Sequence, residues 1–205
     1  MLTYVIKLKI NIQYGIIFNM KNKEQELWDI YDIHKQKTGK TIYRGQRMND
    51  DEYHLFVQVW LINKVGLFLC QQRSKNMKWP LMWCANGGNA KSGEDGFTCA
   101  RREILEELKI DIKELKGYQF NTCIYQEDNQ NYFCDSFVYY LDKDIKDIDY
   151  QKEEIEKLEY MDISKIRKLM TTKDFFTYED DYLNELEDIS LNVKNNSFKL
   201  FNKGI

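Results

Sequence analysis

The sequence has no cysteines paired at CxxC spacing, an odd number of cysteines, and only two histidines, His34 and His54. Cys70, Cys84, Cys99, Cys123 and Cys134 therefore suit neither a zinc site nor a disulfide framework, and are expected to be reduced and mostly buried in a cytoplasmic protein. An excess of positive charge is missing too: 30 basic and 33 acidic side chains leave a net charge of −3. Without a whole-protein positive field there is no general pull on nucleic acid or on an anionic membrane, so a polyanionic ligand has to be held locally. Nor is there an uninterrupted apolar run. Lys7, Lys9, Asn11 and Gln13 break the stretch from Tyr4 to Phe18 at every second position, which suits a strand rather than a signal or membrane anchor. No small-residue cleavage site follows, and Met20 with Lys21 offers a second start, so residues 1–22 are expected to form a dispensable extension. Internal repeats are absent as well.

What is present is a chain of 205 residues, long enough for one domain with a full core and a small appendage. Alternation in Glu26 to Asp32, and more weakly in Gly39 to Gly45, predicts a β-hairpin over residues 23–50, ahead of a main domain at 51–190 and a frayed tail at 191–205. The run HLFVQVWLI, residues 54–62, is apolar on both faces and predicts a central strand, paired through a turn at 63–66 with LFLCQQR. A loop from Ser74 to Cys84 contains the only proline, Pro80, which keeps Trp79 out of helical geometry. Strands are expected at 118–125, 131–141 and 158–161, and helices at 163–170 and 179–189. Their irregular alternation predicts a mixed sheet covered by helices on both sides.

Between these lies the informative segment. Asp95 is a suitable N-cap for a helix through Leu108, in which Phe97, Ala100, Ile104 and Leu108 recur as one apolar stripe. Glu103, Glu106 and Glu107 stand at i, i+3 and i+4, within an arc of roughly 140° beside that stripe. Like charges so close raise one another's pKa, an arrangement that makes sense around a divalent cation, and carboxylate oxygens favour Mg²⁺, with Mn²⁺ as a substitute. The plainer reading is a solvated acidic flank with Arg101, Arg102 and Lys109 as partners.

What precedes the helix decides between the two. Gly88, Glu94, Arg102, Glu103, Ile104, Glu106, Glu107 and Ile110 resemble the Nudix box: glycine, five residues, glutamate, seven residues, then Arg-Glu-aliphatic-x-Glu-Glu-x-Gly-aliphatic. The six polar or glycine positions among these coincide by chance on the order of once in a hundred thousand chains or less often. The chain departs from the pattern at Lys109, where the family has glycine. That position follows the last helical turn, so lysine there either takes a left-handed conformation at about 1 kcal/mol or makes the helix run on.

The resemblance implies a Nudix-type α/β/α sandwich with a mixed β-sheet, and Mg²⁺-dependent hydrolysis of a small-molecule, nucleotide-derived diphosphate. It implies Glu103, Glu106 and Glu107 as metal ligands with the carbonyl of Gly88, and Glu94 and Arg102 as a supporting pair. Glu106, Glu107 and Arg102 thereby belong to the catalytic set. A further acidic residue outside the box is expected to ligate or act as base: Glu154 ranks first, ahead of Glu153, Glu127 and Asp128. Arg73 is placed to meet a diphosphate, Glu127 to contact the substrate from a loop over the site, and Trp79 and Trp83 to stack on a base or to pack in the core. The hairpin end Tyr43-Arg44-Gly45 suggests a homodimer in which it completes a partner's site. EYHLFVQVWLIN, QQRS and WPLMW look closest to the subgroup similar to isopentenyl-diphosphate isomerases. An isomerase with a catalytic cysteine is the rival chemistry, with Cys84 its candidate, and a silent nucleotide-binding module is the other alternative.

Overall fold

A computed structural model describes residues 5–7, by backbone alone, 26–127 and 130–195. Its strands are β1 (Val5–Lys7), β2 (Leu27–Tyr31), β3 (Lys37–Tyr43), β4 (His54–Ile62), β5 (Phe68–Arg73), β6 (Trp83–Cys84), β7 (Asn86–Asn89), β8 (Gly117–Glu127), β9 (Gln130–Tyr140) and β10 (Ile155–Met161). The helices are α1 (Gly96–Leu108), α2 (Ile163–Thr171) and α3 (Asp180–Lys194). Eight strands hydrogen-bond in the order β1-β8-β9-β4-β5-β10, with β6 on β5 and β7 on β4, while β2 and β3 pair separately. Because β1 runs parallel to β8 and β10 runs antiparallel to β5, the sheet is mixed. The fold is thus the mixed α/β fold expected, with its N-terminal hairpin. No helix among the described residues is long and apolar enough to cross a membrane.

The chain packs as two compact units. The first comprises residues 1–57, 88–99 and 121–135. Here the β2–β3 hairpin turns through Asp32, whose carboxylate accepts the backbone N–H of His34 and of Gln36, each at 2.9 Å. At the tip Lys35 pairs with Asp135, a carboxylate with only 5% of its side chain exposed, which also accepts the Thr122 hydroxyl at 2.7 Å. Along the strands Asp29 accepts Ser92 Oγ at 2.6 Å and Gly93 N at 2.9 Å, and pairs with Lys37 at 2.7 Å. Trp28 stacks on His54 with ring centroids 4.3 Å apart, both side chains being buried. His54 Nδ1 finds no hydrogen-bond partner among the described residues, and burial holds the imidazole down at about 4.

The second unit comprises residues 58–87, 100–120 and 136–205. Its core rests on Trp60, Leu61, Ile62, Phe68 and Leu69, none of them exposed, as the two-faced apolar pattern of β4 requires. The Tyr182 hydroxyl of α3 fastens that helix inside: it accepts Trp60 Nε1 at 2.7 Å and bonds Gln58 Oε1 and Ser136 Oγ at 2.9 Å each. All five cysteines of the protein are buried and none forms a disulfide, as their spacing implied.

The loop from Ser74 to Met82 is tightly built rather than slack. Met82 N reaches Trp79 O at 3.4 Å, closing a four-residue turn with Pro80 second and Leu81 third. Leu81 has φ +61°, at the position of such a turn that glycine favours, and Trp79 has φ +53°. Holding two bulky residues in the left-handed region costs about 1–2 kcal/mol each.

Candidate active site

Helix α1 begins where the sequence indicated. Asp95 accepts the Thr98 backbone N–H at 2.8 Å, which satisfies one of the orphan donors of the first turn and holds the Asp95 carboxyl below its ordinary range. Ala100, Ile104 and Leu108 are buried as expected, each of the two larger residues contributing roughly 1.5–3 kcal/mol. Phe97 is only half-buried, and Cys99 is buried in that turn instead. The helix stops at Leu108. Lys109 takes φ +55°, so the departure from the box is met by a strained residue and not by a longer helix. Its ammonium donates to the Glu106 carbonyl at 2.7 Å. Just beyond, Asp111 receives a two-pronged bond from Arg101, Nε to Oδ1 at 2.7 Å and Nη2 to Oδ2 at 2.6 Å.

The three helix glutamates meet different surroundings. Arg102, with 17% of its side chain exposed, donates from Nη1 to Glu103 Oε1 at 2.7 Å and to Glu106 Oε2 at 3.2 Å. Glu106 is the exposed member of the three. Glu107 turns inward and is 7% exposed, because seven residues after Ala100 it falls within the apolar stripe itself. Its Oε2 accepts Gln71 Nε2, from the middle of β5, at 3.3 Å. The Gln71 side-chain carbonyl is buried with no partner among the described residues. Burial first, then the charges of Glu103 and Glu154, push the Glu107 carboxyl well above the usual carboxylate range, with Gln71 and Arg73 pulling the other way.

Glu154 is brought to this cluster by backbone bonds. Ser74 N donates to Glu154 O and Gln151 N to Glu107 O, both at 2.8 Å, and Ser74 Oγ to Glu153 O at 2.7 Å. Of that acidic pair Glu154 is half-buried and Glu153 exposed. The Arg73 guanidinium donates from Nε to Lys78 O at 2.7 Å, tying down the loop that follows β5. Cys84 lies opposite Gln71 in the β5–β6 pairing, and burial pushes its thiol up to about 12. Trp83 is buried beneath Lys157, whose ammonium is 5.0 Å from the ring centroid.

Two box residues belong to the first unit. Gly88, in β7, offers its carbonyl to Cys99 Sγ at 3.8 Å. Glu94 accepts Lys91 N at 2.8 Å. The preceding Gly87 has φ +139°, a backbone angle that glycine adopts without strain. Glu127 ends β8, but its side chain, like Asp128, lies outside the described residues. Gln71 escaped the sequence reading, although an amide in a strand buried on both faces was a signal for it.

Among the described residues no three His, Cys, Asp or Glu side chains stand close enough to enclose an ion. Arg102 takes Glu103 and Glu106 onto its own nitrogens, while Glu107 faces Gln71. The donor chemistry nonetheless fits a hard divalent cation. A carboxylate buried against two other acidic groups has its ionised form restored most directly by a positive ion among them.

A model of the NUDIX domain matches residues 52–180. An uncharacterized Nudix hydrolase of Listeria monocytogenes is 31% identical over 172 residues, 83% of this chain and 96% of the relative. A second, from Listeria innocua, is 30% identical over 166 residues, 80% and 95% of the two chains. Among solved structures, a protein of Deinococcus radiodurans is similar with TM-score 0.62 at 18% identity, covering 80% of this chain and 98% of that one. The Ap4A hydrolase of C. elegans in its binary complex gives TM-score 0.54 at 18% identity, covering 69% and 98%.

Proposed function

Because this chain belongs to the Nudix hydrolase family, we propose that it hydrolyses the diphosphate linkage of a nucleoside diphosphate joined to another group, with Mg²⁺ as the cation and water attacking phosphorus. The observation that carries this reading is the buried Glu107 carboxyl, bonded to Gln71 and bordered by the charges of Glu103 and Glu154. Glu103, Glu106 and Glu107 would hold the cation, and Gly88 is carried into the set by the box pattern alone. When bound, Mg²⁺ supplies neutralisation of the charge that develops on the phosphoryl oxygens and polarises phosphorus toward attack.

The chain's own residues divide the remaining work. Arg102 orients Glu103 through its 2.7 Å charge-assisted bond, and Gln71 fixes one oxygen of Glu107 so that the other is presented. Glu154, half-buried beside Glu107, takes the proton of the attacking water. One water is consumed, one bridging P–O bond breaks, and two phosphate-ended products leave. Arg73 meets the diphosphate with the guanidinium nitrogens that its bond to Lys78 does not use. The exposed Tyr43 and Arg44 would support self-association through the hairpin end.

The isomerase alternative is not favoured by the surroundings of its candidate residues. A Cys84 thiol at about 12 is a poor acid and a poor nucleophile, and His54 is packed against Trp28. The test is chromatographic detection of the two phosphate-ended products from nucleotide sugars, ADP-ribose, dinucleoside polyphosphates and oxidised nucleotides, with and without Mg²⁺, beside Glu107→Gln. Mg²⁺-dependent turnover of at least one substrate, lost in the variant, is expected. Turnover unaffected by this substitution rules the mechanism out.

A further inference from the structure

The four tryptophans differ sharply in exposure. Trp28, Trp60 and Trp83 are 3%, 0% and 6% exposed, whereas Trp79 is 37% exposed. Trp79 is also presented at a conformational penalty: it and Leu81 both have positive φ on either side of Pro80, where the residue before a proline is already restricted. Bonds from β5 hold this geometry on both arms of the loop. Arg73 Nε reaches Lys78 O at 2.7 Å, Arg73 N reaches Met82 O at 2.9 Å, Leu81 N reaches Arg73 O at 3.1 Å, and Gln72 Nε2 reaches Leu81 O at 2.9 Å. Phe176 stands edge-on to the indole at 5.3 Å and 89°, and the Lys78 ammonium lies 4.0 Å from the ring centroid. An aromatic surface is thus fixed in place and turned outward. Lys78, which covers it, is an exposed, flexible cation that a ligand can displace and then use as a phosphate partner.

The anchor of this loop also leads to the carboxylate cluster, since Arg73 ends β5, the strand from which Gln71 bonds Glu107 at 3.3 Å. We infer that Trp79 is a specificity-determining residue that stacks on the planar base of a nucleotide, with Lys78 and Arg73 receiving its phosphates. The inference rests on the hydrolase reading for the kind of substrate, and on the exposure and fixation of Trp79 for the residue. A ring so held favours a flat, π-bearing group over a flexible isoprenoid chain.

The test needs no turnover. The intact protein, in EDTA, is titrated with AMP, GMP, CMP and UMP in turn, and with inorganic pyrophosphate, following tryptophan fluorescence. At least one nucleotide is expected to quench, because Trp79 alone among the tryptophans is accessible, and to quench more than pyrophosphate, which can draw Lys78 off the ring but has no base to stack. Trp79→Leu should abolish the quenching and weaken that nucleotide's binding, measured by calorimetry, about tenfold to a hundredfold. Trp79→Phe, which keeps a stacking ring, should bind within about threefold of the native protein. In turnover the loss in Trp79→Leu should fall on KM and leave kcat in place. Absence of quenching by all four nucleotides, persistence of quenching in Trp79→Leu, or equal weakening by Leu and Phe would each overturn the assignment. A protein that binds nucleotides through Trp79 yet fails to hydrolyse any diphosphate would refute the hydrolase reading and leave this one standing.

Discussion

Lys109 offers the sharpest quantitative test, because the residue sits in a backbone conformation that its side chain disfavours. At φ +55° a Cβ costs about 1 kcal/mol relative to glycine once glycine's greater freedom in the unfolded chain is deducted. Against this, the Lys109 ammonium bonds the Glu106 carbonyl at 2.7 Å, a solvent-exposed contact worth about 0.5 kcal/mol. Lys109→Gly therefore gains about 0.5 kcal/mol over the native protein, whereas Lys109→Ala keeps the strain and loses the bond. The two variants should differ by about 1 kcal/mol, which in a chain of this size is about 2–4 °C in Tm. Calorimetry of the three proteins in one buffer should rank them Gly, Lys, Ala from most to least stable. The buried neighbours Leu108 and Ile110 and the Arg101–Asp111 fork hold the turn in place in all three. An alanine variant as stable as the glycine variant would mean that α1 runs through position 109, and the reasoning would fail.

Other expectations follow from the same surroundings. Glu107→Gln should lower turnover about 10²–10³-fold. In cation-free buffer it should raise stability at pH 8 but not at pH 4, since a raised carboxyl pKa destabilises the fold only as pH climbs above the ordinary glutamate value; urea midpoints at both pH values check this. EDTA should abolish hydrolysis and Mg²⁺ restore it. Saturation with the ion at about a hundred times its Kd should add about 2.7 kcal/mol, or roughly 5–10 °C in Tm, to the native protein. For His54, depressed by burial to about 4, the neutral ring's contribution is complete above pH 6.5 and is lost as pH falls toward 4, by about 3 kcal/mol in all. Replacing it by Phe should flatten that acid limb in denaturation curves, and an unchanged limb would locate the titration elsewhere.

The sequence was most readable where pattern and burial coincide. The nine residues HLFVQVWLI form β4 to the residue, and Asp95 caps α1 as its side chain type and place suggested. Strands β6 and β7 were not legible: WC and NGGN have weak local preference and become strands because β5 and β4 supply partners distant in sequence. Helix α3 runs to Lys194, past the expected end at 189, because Val193 is buried and rewards another turn. The box gave the right helix, yet the equal weighting of its three glutamates missed a distinction already present in the spacing. With Ala100, Ile104 and Leu108 in the stripe, Glu107 shares their face, while Glu103 and Glu106 look toward Arg102. Which tryptophan reaches solvent depended on the course of a loop, and composition does not encode that.

The hairpin's grip on Asp135 bears on how small a working fragment of this protein can be. A version trimmed to start at residue 51 would remove Lys35 and its ion pair with the enclosed Asp135. It would also strip Trp28 from the face of His54. The hairpin that reads as an appendage to the domain is in physical terms a counter-ion and a cover, and shortened versions made for expression or crystallisation should keep it.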